Sequence, residues 1–386
     1  MYICFLAGFY PIDTVPYAAF IETICRQFVL FGCKVVVIAP QSVTKSLFRR
    51  KKLLPYHTKQ LIEGSGCVEI FRPYSITFGE GTLRGNLTLL MNRLSVEATI
   101  IRHKLKPDIF YAHFWTSAYN VLFYASRHKI PLFVATGEDR IIITRYLSQK
   151  TFSLFNKFVK GVICVSTKNV QESVNLKLVD EKKCILLPNS VDLSLFRRLN
   201  KDNIRAQMGY NRDDFIVIYV GRFVHRKGSR RVSDALSMLA TASIKSIFIG
   251  GNIEDEKNDF APSCPGILFS GTVSHNCLFK YLNCADVFVL PTLAEGCSNS
   301  IVEAMACGLP IISSDLDFNY DILDSSNAIL INPLDVTQIA DAILHLRNDV
   351  KLREKMGESS YQKARNLSLS NRVHRIMEFI KKSERG

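Results

Sequence analysis

Short, wholly apolar runs recur along this chain, and stretches long enough to be helices separate them. In the first half the runs are Tyr2–Leu6, Lys34–Ala39, Ile109–Ala112, Leu132–Ala135, Gly161–Val165 and Cys184–Leu187. In the second they are Phe215–Val220, Ser246–Ile249, Ile267–Phe269, Val287–Leu290 and the short Ile311–Ile312. A strand that is apolar on both faces must be covered on both faces, and helices that join parallel strands do this. The pattern predicts an α/β chain of doubly wound, Rossmann-like parallel sheets. Such sheets bind ligands beyond the carboxyl ends of their strands. Helices are expected at Pro16–Phe31, stopped by Gly32, at Gly228–Leu239, and at Asn299–Cys307, stopped by Gly308 and Pro310. Two more are expected at Val336–Asn348 and Lys351–Ala364. Residues 41–90 show no clear period.

The theme runs twice through 386 residues, a length that suits two domains, each with its own core. The joint is placed near Pro188–Leu195, which gives domains 1–192 and 193–369. Hydrophobic residues at 47% and charged ones at 22% read as a soluble globular protein, and no apolar run is long enough to cross a bilayer. Met1–Leu6 lacks a basic flank and reads as a buried strand, not a signal peptide. The 11 cysteines are scattered, without a Cys-x-x-Cys pair. Free core thiols in a reducing, cytoplasmic compartment explain them, and no metal cluster is expected.

Charge is uneven. Residues 1–195 hold 25 Lys+Arg and 13 Asp+Glu, a balance of +12, whereas residues 196–386 hold 24 and 22, a balance of +2. Arg49-Arg50-Lys51-Lys52 is a local cationic run. An anionic membrane surface, a phosphate-bearing acceptor or nucleic acid would each answer such a field, and a solvated basic face is the plain alternative. Against nucleic acid, the basic half shows no aromatic-basic stripe and no binding module.

Three segments carry chemistry. The sharpest is Glu295-Gly296-Cys297-Ser298-Asn299-Ser300-Ile301-Val302-Glu303, a buried strand's exit followed by a helix start. Ser298 or Asn299 can cap that helix, and its free backbone N–H groups with the helix dipole form a phosphate site at Cys297–Ser300. Glu295 and Glu303 can then face one cleft, although an isolated pair would read as a loop acid and a solvated helix acid. In the second segment, Gly221-Arg222-Phe223-Val224-His225-Arg226-Lys227-Gly228, glycines permit a tight turn. Arg222 offers a forked phosphate contact and Lys227 a point charge. The third, Leu187–Phe196, is by itself a turn-rich loop.

In this order and at this spacing the three segments resemble glycosyltransferase family 4, the retaining GT-B enzymes of bacterial polysaccharide and glycolipid assembly. Phe269–Val273 is similar to that family's base-binding loop, and Pro107-Asp108…His113 to its acceptor-domain histidine turn. The resemblance implies two domains facing across a cleft, with a closing helix at 370–386 that packs back on the first. It implies that Arg222 and Lys227 neutralise the donor diphosphate, that Glu303 holds the ribose and that Glu295 sits by the donor sugar. His113 would approach that sugar from the first domain, and Gly221, Thr272 and Val273 would line the nucleotide. It implies no cofactor and no metal, a UDP- or GDP-sugar donor, and a glycan or lipid-linked acceptor at the inner membrane face. The sequence departs from the family in three places. Phe9–Pro16 replaces a glycine-rich loop, Ser190 stands where glycine is usual, and at Ala135-Thr136-Gly137-Glu138-Asp139 the usual histidine is replaced. Asp315-Leu316-Asp317 resembles a metal motif of a different fold, but its place after the Glu295–Glu303 helix makes it a pair of turn acids. The competing functions are a sugar-nucleotide epimerase of the same fold and a basic nucleic-acid-binding protein.

Overall fold

The computed structural model describes residues 1–11, 19–50, 52–79, 81–239, 243–251 and 260–385. Residues 12–16 of the atypical loop, the expected helix start at 16–18, and Lys51 of the cationic run lie outside the described residues. The chain divides into two compact units, Met1–Leu187 with Arg372–Gly386, and Pro188–Asn371.

The first unit contains β1 (Tyr2–Leu6), β2 (Lys34–Ile38), β3 (Gln41–Ser42), β4 (His57–Ile62) and β5 (Gly66–Phe71). It continues with β6 (Tyr74–Ser75), β7 (Ile109–His113), β8 (Leu132–Thr136), β9 (Val159–Cys164) and β10 (Cys184–Leu186). Its helices are α1 (Ala19–Leu30), α2 (Val43–Phe48), α3 (Thr82–Arg102), α4 (Trp115–His128), α5 (Gln149–Phe158) and α6 (Thr167–Asn175). Eight strands form one sheet in the order β10-β9-β8-β7-β1-β2-β5-β4, and β3 pairs with β6 apart from it.

Strand alternation explains the apolar runs. Ile3, Phe5, Val35, Val37, Ile109 and Tyr111 join one buried layer with residues of α1 and the last helix (Leu369–Arg385). Cys4, Leu6, Val36, Ile38, Phe110 and Ala112 join the other, with α3, α4 and α5. The last helix contributes Val373, Ile376 and Ile380, all fully buried. Each such side chain is worth roughly 1.5–3 kcal/mol when removed from water.

The sheet departs from the all-parallel expectation at one edge, where β4 runs antiparallel to β5. His57–Ile62 is half-solvated and alternates along its length, and Gly64 turns it back at a φ of 71°. It therefore lacks the continuous apolar run of an inner strand. The long helix α3 also escaped the sequence pattern, because few of its residues, Leu89, Val96, Thr99 and Ile100, are buried. Residues 188–192, given to the first domain by sequence, bond to the second unit. Asn189 Nδ2 donates to the Cys297 carbonyl at 2.8 Å, and Val191 bridges Ser368.

The second unit has β11 (Phe215–Val220), β12 (Ile244–Ile249), β13 (Ile267–Gly271), β14 (Val287–Leu290), β15 (Ile311–Ser314) and β16 (Ala328–Ile331). Its helices are α7 (Lys201–Met208), α8 (Ser229–Leu239), α9 (His275–Cys284), α10 (Asn299–Ala306), α11 (Val336–Asn348) and α12 (Val350–Asn366). The strands are all parallel, in the order β13-β12-β11-β14-β15-β16. The order reverses beside β11, and the carboxyl edge at such a reversal is where sheets of this kind bind ligands.

Candidate functional site

Two strand exits build the site of the second unit. After β11 the chain turns through Gly221 and Arg222 into a single 3-10 turn, His225–Lys227, and Gly228 closes it at a φ of 82°. A Cβ at Gly228 would also lie 2.8 Å from the Pro291 carbonyl oxygen. After β14 the chain runs through Thr292–Ser298 into α10. The two exits are stitched together. Leu293 N donates to the Arg226 carbonyl at 2.8 Å, Arg231 Nη2 donates to the Pro291 carbonyl at 2.8 Å, and Arg226 donates to the Ala294 carbonyl.

These bonds place charge. Lys227 Nζ ion-pairs with Glu295 Oε1, and both side chains are largely buried. Arg226 Nη1 stands 3.7 Å from the same oxygen, and Thr292 Oγ1 donates to it at 3.2 Å. Arg222 is exposed, its carbonyl fixed by Tyr219 Oη at 2.9 Å, and among the described residues its guanidinium has no ion-pair partner. Three cations and a helix start thus converge on one edge.

Ser298 is the N-cap of α10, but its hydroxyl meets Ser300 Oγ at 3.1 Å and makes no side-chain cap bond. The N–H groups of the first turn, from Asn299 and Ser300 onward, lack intrahelical acceptors by construction. Cys297, just before them, is buried and held through its carbonyl by Asn189. One turn into α10, Glu303 Oε1 meets His275 Nε2 at 2.8 Å. The bond to Glu303 raises the His275 pKa, and burial opposes it. His275 opens α9 directly after Thr272, Val273 and Ser274, the exit from β13. The structure therefore gathers Gly221, Arg222, Lys227, Glu295, Cys297–Ser300, Glu303, Thr272 and Val273 along one edge of one sheet.

Sequence reasoning missed three contributors. Arg226 lay inside a motif already recognised. His275 carries no motif of its own. Gly250 follows β12, and a Cβ there would sit 1.9 Å from the Gly221 carbonyl oxygen. The Gly221 turn can reach its position only because Gly250 has no side chain.

In the first unit, His113 ends β7 and packs on Phe20 and Phe114 at ring distances of 5.0 and 4.4 Å. Burial, with Arg372 adding to it, lowers its pKa to about 3, so the ring is neutral near pH 7. Its Nδ1 is buried and has no hydrogen-bond partner among the described residues. The next residue, Phe114, holds a φ of 78°, a conformation that costs a non-glycine residue about 1–3 kcal/mol. Glu138 is committed to the fold. It accepts from Trp115 N at 3.2 Å at the start of α4, and from Thr136 Oγ1 and Gly137 N at 2.5 and 3.1 Å. Burial raises its pKa against those bonds. Lys168 Nζ donates to the Asp139 carbonyl at 2.6 Å.

Among the described residues no group of three or more His, Cys, Asp or Glu side chains could hold a metal ion, and no helix is long and apolar enough to cross a membrane. Asp315 and Asp317 are exposed turn residues. A cavity of about 480 Å³ lies on the opposite, amino edge of the second sheet, beside Asp286 and Pro310. In its lining Lys201 pairs with Asp286 at 2.7 Å, and Arg198 pairs with Glu358.

Two such sheets, with a basic turn, a helix start and a Glu-x7-Glu segment on the second, define a GT-B glycosyltransferase. The chain belongs to glycosyltransferase family 4. The Glycosyltransferase Family 4 model matches residues 18–195, and the Glycosyl transferases group 1 model matches residues 214–349. TuaC of Bacillus subtilis (strain 168), assigned as a teichuronic acid biosynthesis glycosyltransferase, is 25% identical over 376 residues. That match covers 94% of this chain and 93% of TuaC. A Campylobacter jejuni N,N'-diacetylbacillosaminyl-diphospho-undecaprenol alpha-1,3-N-acetylgalactosaminyltransferase is 24% identical, over 58% of this chain and 60% of its own length. Anabaena Alr3699/HepE, solved with UDP-glucose, shares the fold with a TM-score of 0.72 at 16% identity, over 99% of this chain and 100% of its own.

Proposed function

We propose that this glycosyltransferase moves a hexosyl unit from a UDP- or GDP-sugar to a glycan or lipid-linked acceptor of cell-surface polysaccharide assembly. Transfer retains the anomeric configuration and needs no metal ion or other cofactor. The observation that carries the reading is the convergence of Arg222, Arg226 and Lys227 with the α10 N-terminus, one turn from Glu303. As the bond from the anomeric carbon to oxygen breaks, its electron pair leaves with the diphosphate, and the acceptor hydroxyl oxygen forms the new bond while its proton passes to the departing diphosphate oxygen. Fixed cations and backbone N–H groups stabilise the leaving charge more as it grows, which lowers the barrier. Glu303 accepts from the ribose hydroxyls, with His275 holding one of its oxygens. Thr272 and Val273 flank the base, and Glu295 contacts the donor sugar. His113, kept neutral by burial, hydrogen-bonds a sugar hydroxyl.

Retention is the outcome associated with the family's motif set. The teichuronic acid role assigned to TuaC and the diphospho-undecaprenol acceptor of the Campylobacter enzyme support the acceptor class. The +12 balance of residues 1–195 supports placement of the first unit at the anionic inner membrane face. The test is transfer from a panel of nucleotide sugars in EDTA, with the product's anomeric coupling read by NMR. The expected result is a retained linkage and free nucleoside diphosphate. An inverted anomer, complete loss in EDTA, or an epimerised nucleotide sugar as product would overturn the reading.

A further inference from the structure

Arg72 is a buried cation without a counter-charge. It follows β5 directly and is 4% exposed. Its Nη1 donates to Thr58 Oγ1 at 2.8 Å, and among the described residues its guanidinium makes no ion pair. Nε is sealed from the surface and has no hydrogen-bond partner. Nη2 makes no hydrogen bond among the described residues either, but it is not sealed. Burial lowers the Arg72 pKa, yet an arginine stays protonated in a protein. A charge taken out of water and answered by one hydroxyl is a cost to the fold, and proteins carry such costs chiefly at functional sites.

The acids near Arg72 are engaged elsewhere. Thr58 stands opposite Ile70, on the face of the sheet that α1 covers. On that face Tyr10 Oη donates to Gln60 Oε1 at 2.7 Å, and Gln60 Nε2 donates to Glu22 Oε1. Arg26 Nη1 approaches the same carboxylate oxygen at 3.9 Å. Glu69 of β5 alternates to the opposite face, where His57 meets it at 2.9 Å and Lys59 at 3.9 Å. The Arg72 backbone is nonetheless firmly placed. Its N–H donates to the Tyr56 carbonyl at 2.6 Å, and its carbonyl accepts from Gln41 Nε2 at 3.0 Å. Gln41 Oε1 in turn accepts from Leu54 N at 2.9 Å. A guanidinium held in this way needs little ordering when a ligand arrives.

Its place in the fold is also informative. β1, β2, β5 and β7 run parallel, so the end of β5 lies on the same edge of the sheet as His113. The strand order β7-β1-β2-β5 puts three spacings between them, about 14 Å along the edge. A sugar chain or a sugar diphosphate laid along the edge bridges such a gap.

We propose that Arg72 determines acceptor specificity: its guanidinium binds an anionic group of the acceptor, a diphosphate or a carboxylate, while the acceptor hydroxyl lies near His113. Nη2 supplies the charge-assisted hydrogen bond. The inference rests on the acceptor reading proposed above and adds the charge that the acceptor carries. A lipid-linked diphosphate and an acidic glycan are the two sources of that charge.

The test is thermal melting of the full chain, wild type against Arg72→Gln and Arg72→Met, with sodium pyrophosphate, sodium glucuronate or sodium chloride at equal ionic strength. In chloride both variants should melt no lower than wild type, because the charge they remove has no carboxylate partner. One of the two anions should raise the wild-type melting temperature by at least about 2 °C more than that of either variant. The donor site is intact in all three proteins, so the difference reports Arg72. A larger difference in pyrophosphate assigns the lipid diphosphate, and a larger one in glucuronate the acidic glycan. In the transfer assay Arg72→Gln should raise the acceptor KM at least roughly tenfold and leave the donor KM unchanged. Equal anion responses in wild type and variants, or both variants melting well below wild type in chloride, overturn the proposal. The melting experiment measures no transfer, so the two readings fail separately. An Arg72-dependent anion response in a chain that transfers no sugar sinks the acceptor reading, whereas equal responses in a chain that does transfer sugar sink this proposal alone.

Discussion

Replacing Lys227 with alanine separates two roles of one side chain. In the structure its ammonium neutralises Glu295, with the two side chains 14% and 13% exposed. Stripping a partner from a buried charge costs about 3–5 kcal/mol, whereas an exposed pair contributes about 0–1. Here the carboxylate keeps Arg226 at 3.7 Å and the Thr292 hydroxyl at 3.2 Å. The loss of stability should therefore be nearer about 1–2 kcal/mol, leaving the protein folded. The loss in turnover should be larger. A group that acts as charge develops on the leaving diphosphate is comparable to an oxyanion donor, which contributes about 3–4 kcal/mol, or about 10²–10³ in kcat. Urea unfolding measures the first quantity, and kcat at saturating donor measures the second. A folded Lys227→Ala enzyme with near-normal kcat would refute the assignment. So would a kcat loss that merely tracks the folded fraction.

Glu303→Ala should mainly raise the donor KM, because a ribose contact is present before and during reaction; steady-state kinetics that show an unchanged KM and a collapsed kcat would contradict this. His275→Gln should lower stability by less than about 1 kcal/mol, since the pair is partly exposed. The His275 pKa is raised on folding, so its contribution is complete below about pH 6.5 and fades as pH rises through the raised value; denaturation of both proteins across pH should show the gap closing at high pH. His113 works in the other direction: its pKa is about 3 in the fold and 6.5 outside it, so the unfolded chain takes up the proton first as pH falls. Between pH 8 and pH 5 this should remove about 2 kcal/mol of wild-type stability that His113→Gln does not lose. Gly250→Ala should displace the Gly221 turn and weaken donor binding at least roughly tenfold, measured by calorimetry with the donor; unchanged affinity would show that the contact is not essential.

The parallel sheets were legible because their inner strands are apolar on both faces, and that leaves an uninterrupted run such as Val35–Ile38. The edge strand β4 is half-solvated and the helix α3 is largely exposed, so neither leaves such a signature. The site was legible where its groups are local to one strand exit, as in Gly221–Gly228 and Glu295–Glu303. His275 and Gly250 were not, since their roles arise only when other strands place them against Glu303 and Gly221. Glu138 shows the converse case: an acid in a polar loop whose carboxylate turned out to be occupied at the start of α4.

The most direct test of the account is a crystal structure of the wild-type chain with the nucleoside diphosphate of its donor. The account predicts the diphosphate at the N-terminus of α10, within hydrogen-bond reach of the Ser298–Ser300 amides and of Arg222 or Lys227, and the ribose hydroxyls on Glu303. A nucleotide bound elsewhere, for instance in the cavity beside Asp286 at the amino edge of the same sheet, would contradict it.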